Sequence, residues 1–75
     1  MAMYALWDMR SGNLMGDYDS EALALETLAA AIGVHGEGYA ETVALVRVGP
    51  QGTPLQIAAG AELAERAMAS QRVIA

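Results

Sequence analysis

Apolar side chains dominate the run Met3-Tyr4-Ala5-Leu6-Trp7-Asp8-Met9-Arg10, and its aromatic content and short length predict a β-strand. Ser11-Gly12-Asn13 is a turn signal, and Leu14-Met15-Gly16-Asp17-Tyr18 reads as the returning strand. A two-residue Gly12-Asn13 loop of type I′ or II′ would close this hairpin. That loop sets Trp7 opposite Tyr18 and Met9 opposite Gly16. One face then collects Met3, Ala5, Trp7, Met9, Leu14 and Tyr18. A three-residue loop would place Arg10 against Leu14 and mix the faces, since a slip of one residue flips every side chain.

Asp19-Ser20-Glu21 opens a helix. Ser20, or failing that Asp19, caps the free first-turn amides, and Glu21 suits the positive end of the helix dipole. Ala22, Leu25, Leu28, Ala29 and Ile32 recur at helical spacing, and Gly33 or Gly36 ends the helix. Gly36 to Glu41 reads as a connection with room for one helical turn. Thr42 to Val48 is the most strand-like run of the chain, and Gly49-Pro50-Gln51-Gly52 is a turn. Leu55 to Ala59 forms a fourth strand, and Gly60 starts a last helix running through Met68. Ser70 to Ala75 receives no structural assignment. The predicted fold is α+β: one domain over residues 1–75, ordered ββαββα, an antiparallel sheet with both helices on one face. The two ββα halves do not match closely enough in sequence to define a repeat.

Pairing Val46 with Leu55 and Ala44 with Ile57 gives the second hairpin an inner face of Ala44, Val46, Val48, Leu55, Ile57 and Ala59. Each helix has one apolar stripe, so both helices are needed to cover the inner face. The other face keeps Tyr4, Leu6, Met15, Val43 and Leu45, where a solvated antiparallel sheet would normally carry polar residues. These five residues are the expected interface, because a contiguous apolar patch marks an interaction surface. The competing reading is an ordinary surface, or one covered by Val73 and Ile74 of the tail.

Composition strengthens the case for a partner. With 75 residues the chain buries only about 60% of its unfolded surface, and small domains compensate with disulfides, metals or oligomerisation. There is no cysteine, and a single His35 cannot build a zinc site alone. An apolar fraction of 55% contains no run long enough to span a membrane. Met1-Ala2-Met3-Tyr4 lacks the basic and apolar regions of a signal peptide, so a cytoplasmic protein is expected. Nine acidic residues face four arginines and no lysine, a net charge of −5. Nucleic-acid binding draws its affinity from clustered cations, and here Arg10, Arg47, Arg66 and Arg72 are scattered, so no nucleic acid is expected. The expected partners are a second copy of the chain or a basic protein, with no membrane and no cofactor.

Candidate chemistry is sparse. In the hairpin register above, Asp8 and Asp17 oppose each other with Asp19 nearby, which suggests a cation site or an acid–base pair. The simpler account is carboxylates splayed into water, since such a metal needs more oxygen ligands in fixed geometry. His35 near Glu37 and Glu41 could titrate near neutrality, but a histidine in a last helical turn ordinarily caps carbonyls. Gly36-Glu37-Gly38 forms no phosphate loop, no serine stands in a nucleophile elbow, and no enzyme is expected. Trp7 and Tyr18 read as core aromatics.

Gly16-Asp17-Tyr18-Asp19-Ser20-Glu21-Ala22-Leu23 resembles the helix entry of HicB-like antitoxins, where a small polar residue precedes Glu-Ala-Leu. The resemblance covers Met3 to Ile32 and implies a dimer that masks a basic ribonuclease toxin, in keeping with the acidic charge. The family's proline-and-glycine segment before the helix is missing, no separate DNA-binding domain follows, and no functional residue carries over. The leading expectation is a protein-interaction domain that self-associates or binds a protein through its sheet. An antitoxin is the alternative, and a small-molecule or metal-binding regulatory domain the second.

Overall fold

In the computed structural model, which describes residues 3–49 and 54–72, the chain is an α+β domain in the order ββαββα. The strands are β1 (Met3–Asp8), β2 (Asn13–Tyr18), β3 (Val43–Val48) and β4 (Pro54–Ala59). The helices are α1 (Glu21–His35) and α2 (Gly60–Arg72), and a 3-10 segment covers Glu37–Thr42. The sheet is antiparallel throughout, with strand order β2-β1-β3-β4. Most of the predicted turn after β3, and the tail residues Val73 and Ile74, lie outside the described residues.

The first turn corrects the predicted loop. β1 ends at Asp8 and β2 begins at Asn13, so the loop is Met9 to Gly12. The Asp8 carboxylate accepts hydrogen bonds from the Arg10 amide and the Ser11 hydroxyl, each at 3.0 Å, and the Gly12 amide donates to the Asp8 carbonyl at 2.7 Å. Gly12 alone is left-handed, with φ 74°, whereas a type I′ turn needs two such residues. The organising group is therefore the aspartate side chain folding back on its own loop.

A bulge in β2 then decides which side chains share a face. Tyr4 pairs with Tyr18 and Leu6 with Gly16, but Trp7 pairs with Leu14, which leaves Met15 as the extra residue. Leu14 and Tyr18 thus leave opposite faces, although an unbroken strand would align them. Gly16 makes room for the tyrosine: a methyl group there would fall 2.7 Å from the Tyr18 hydroxyl oxygen. An aromatic ring lying over a strand glycine supplies the packing that the glycine lacks.

α1 begins where the sequence places it. The Ser20 hydroxyl accepts the Leu23 amide at 3.2 Å, and the Gly36 amide, at φ 100°, closes the far end on the Ile32 carbonyl at 2.7 Å. Its buried stripe is Ala24, Leu25, Leu28, Ala29 and Ile32; Ala22 is exposed, and Ala24 takes its place. α2 extends past Met68 to Arg72 and buries Leu63 and Ala67. α1 packs on β1 and β2, α2 on β3 and β4, and the helices on each other. The halves are consequently related by an approximate two-fold axis through the β1–β3 seam, with Tyr4, Leu6 and Asp8 in the places of Val43, Leu45 and Arg47.

The core corrects the predicted assignment of faces. Leu6, Val43, Leu45 and Ala58 join α1, α2 and Ala40 in one buried cluster, with Tyr4, Tyr18 and Ile57 at its margin. The face expected to be open is therefore the one the helices cover. Leu6 is 2% exposed and Leu45 0%, so neither can touch a partner without unfolding. The reason is parity: both faces are apolar, and the bulge reverses the one between Leu14 and Tyr18. The helical side takes the bulkier Tyr4, Leu6, Val43 and Leu45 against alanine-rich helices.

Candidate interaction surface

The sheet face turned away from the helices is built of three cross-strand rows. Leu14, Trp7, Ala44 and Ala59 form the first, Asp17, Ala5, Val46 and Gln56 the second, and Met3, Val48 and Pro54 the third. Only Asp17 and Gln56 are polar, and both sit on edge strands. Ala5 and Ala44 are 3% and 0% exposed yet stand outside the helix–sheet cluster. They are enclosed on the open side, between the taller Trp7 and Val46. Met3 and Leu14 are exposed, while Trp7, Val46 and Val48 are half-buried. No described element lies over this face, so the apolar surplus expected from the sequence exists, but on the opposite side and with other residues.

Of the predicted interface residues, Leu6, Val43 and Leu45 are core and Tyr4 is half-buried beside it. Met15 is exposed, at the bulge of edge strand β2. Trp7, Val46 and Val48, expected on the covered face, lie half-buried on the open one. Their alternation was visible in the sequence, but alternation does not say which face the helices cover.

Asp8 and Asp17, which the predicted register set opposite each other, lie on different faces. Asp17 lies opposite Ala5 on the open face, whereas Asp8 belongs to the helix-side set at the hairpin end. No group of three metal-ligating side chains occurs among the described residues. The Asp8 carboxyl titrates below its ordinary value of 3.8, chiefly because the Ser11 hydroxyl and then the Arg10 amide donate to its ionised form. Partial burial opposes this, and the Ser11 amide and Thr42 hydroxyl add to it. A lowered folded-state pKa contributes stability that is complete above 3.8 and lost as pH falls through the folded-state value. Asp8→Asn should therefore lower the melting temperature at neutral pH, and the gap to the unmodified chain should close in acid below 3.8. Thermal melts of both proteins across that range check the sign. A gap that stays constant would show that the loop bonds do not depend on ionised Asp8.

His35 stacks on Tyr39 with ring centroids 4.7 Å apart and planes at 16°, which pins the end of α1 to the 3-10 segment. A cleft of about 530 Å³ lies between α1, the 3-10 segment and α2, lined by Ile32, Gly38, Glu41, Ala64, Glu65 and Met68. Both carboxylates there are solvent-exposed, so the cleft lacks the converging polar groups that orient a ligand. A smaller one of about 320 Å³ lies by Asp8, Arg10, Met15 and Tyr39. Among the described residues, no helix is long and apolar enough to cross a membrane. Comparison with protein-family models, curated proteins and solved structures finds no match to this chain.

Proposed function

We propose that this chain is a small, non-catalytic protein-interaction domain whose contact surface is the open sheet face. The supporting observation is that face itself: three rows of mainly apolar side chains on the side of the sheet away from both helices. Contiguous apolar surface of this kind marks a protein contact site. A fully buried Val, Leu or Met side chain is worth about 1.5–3 kcal/mol, so covering several of them can offset the cost of association. The acidic balance opposes a nucleic-acid partner. Arg10 lies in the first loop, Arg47 on the helix side opposite Tyr4, and Arg66 pairs with Glu62 at 3.8 Å, so these three form no basic stripe.

Site-specific photo-crosslinking in the native cells tests this reading. A photoreactive residue at Val46 should give discrete protein adducts, while the same residue at exposed Ala30 on α1 should give none. Equal labelling from both positions, or none from Val46, would remove the sheet face as the contact surface. A basic partner among the Val46 adducts would favour the antitoxin alternative.

A further inference from the structure

Resting on that reading, we infer that the occupant of the open face is a second copy of this chain, packed sheet against sheet about a two-fold axis. Charge selects the occupant. Among the described residues Asp17, at the β2 edge, is the single charge of the face, so a strongly basic partner finds one carboxylate to pair with and an acidic partner none. A second copy presents the same nearly neutral apolar surface. The net charge of −5 does not gather at this contact: of the nine acidic residues Asp17 stands on the face, at its β2 edge, while Glu21, Glu26, Glu62 and Glu65 lie on the helix layer. Each protomer measures 17 Å along its shortest axis, so face-to-face packing keeps the two helix layers farther apart than the Debye length of about 8 Å.

Area sets the expected strength of the contact. Strand spacing of about 4.8 Å and a rise of about 3.3 Å per residue make the face roughly 20 × 20 Å. Across two copies this is about 800 Å² in plan, the size of a weak, transient contact rather than of a standard interface of about 1,600 Å². Area alone does not set the affinity, and a contact this small is expected to dissociate readily on dilution. Two sheets stacked about 10 Å apart would bring Trp7, Val46, Val48 and Met3 of each copy into a shared apolar layer.

Sedimentation or light scattering on the purified chain, diluted from about 200 μM to about 1 μM, tests for this contact. The expected particle has twice the 7.8 kDa chain mass at the high end and dissociates on dilution, with Trp7 fluorescence shifting red as it does. Trp7→Glu and the more exposed Met3→Glu and Leu14→Glu should each weaken the dimer at least about 100-fold, with far-UV circular dichroism unchanged. Met3 and Leu14 are already partly solvated, so their variants report even where Trp7→Glu fails to fold. A wild-type monomer at about 200 μM overturns the second copy, as does a dimer indifferent to the Met3 and Leu14 variants. A monomer whose Val46 position still crosslinks another protein in cells would overturn the self-association alone and leave the sheet face as the contact surface.

Discussion

Replacing Leu45 by aspartate will unfold the chain rather than release a folded monomer. Leu45 is 0% exposed, with Leu6 opposite it on β1 and Ala58 on β4, under both helices. Truncating such a leucine to alanine costs about 2–5 kcal/mol. At about 0.05–0.15 kcal/mol per residue, the whole domain has roughly 4–11 kcal/mol to lose. Aspartate adds a buried charge with no cation in the cluster to pair with, which exhausts that margin. The informative control is the next residue. Val46→Asp points to the open face, and its helical circular dichroism and cooperative melt should survive. Leu45→Asp should show neither. A folded Leu45→Asp beside an unfolded Val46→Asp would mean that the helices cover the other face.

Much of this arrangement was legible in the residues, and what was not has identifiable causes. Ser20 before Glu21 marks a helix start because a hydroxyl must accept a first-turn amide, and it does. Two hairpins, two helices and their order follow from punctuation by Gly12, Gly36, Gly60 and the polar Asp19-Ser20 pair. The face assignment failed because alternation decides only that residues share a face, not which face is covered. That choice depended on two local details: a loop held by the Asp8 side chain, and a bulge at Met15. Neither leaves a periodic trace. Strand order was equally silent, since nothing local says that β1 lies beside β3.

The two errors have one origin and one consequence. Because both faces are apolar, exchanging them leaves the prediction of a surplus intact while exchanging four of the five residues in it. Tyr4, Leu6, Val43 and Leu45 move to the helix side, and Met3, Trp7, Val46 and Val48 become the surface. The candidate site was thus legible as a property of the sheet and illegible as a set of names.

Proline at Ala5 will be as damaging as a core truncation, although Ala5 faces away from the helices. β1 is central, hydrogen-bonded to β2 on one side and β3 on the other, so an interior amide of this strand faces a bonded neighbour on either side. Proline has no amide hydrogen, and its ring restricts the preceding residue as well. The lost bond leaves an unsatisfied carbonyl within the sheet, at about 1–3 kcal/mol, and ring strain brings the total to about 3 kcal/mol or more. The chain already shows where proline is tolerated: Pro54 is the first residue of edge strand β4. β1 and β3 also form the sheet seam between the two ββα halves, so breaking it should melt both halves in one transition. Chemical denaturation of Ala5→Pro should show a single cooperative loss of structure at a much lower midpoint, with Ala5→Ser close to the parent. An Ala5→Pro variant as stable as the parent would place β1 at an edge of the sheet, and the β2-β1-β3-β4 order would fall with it.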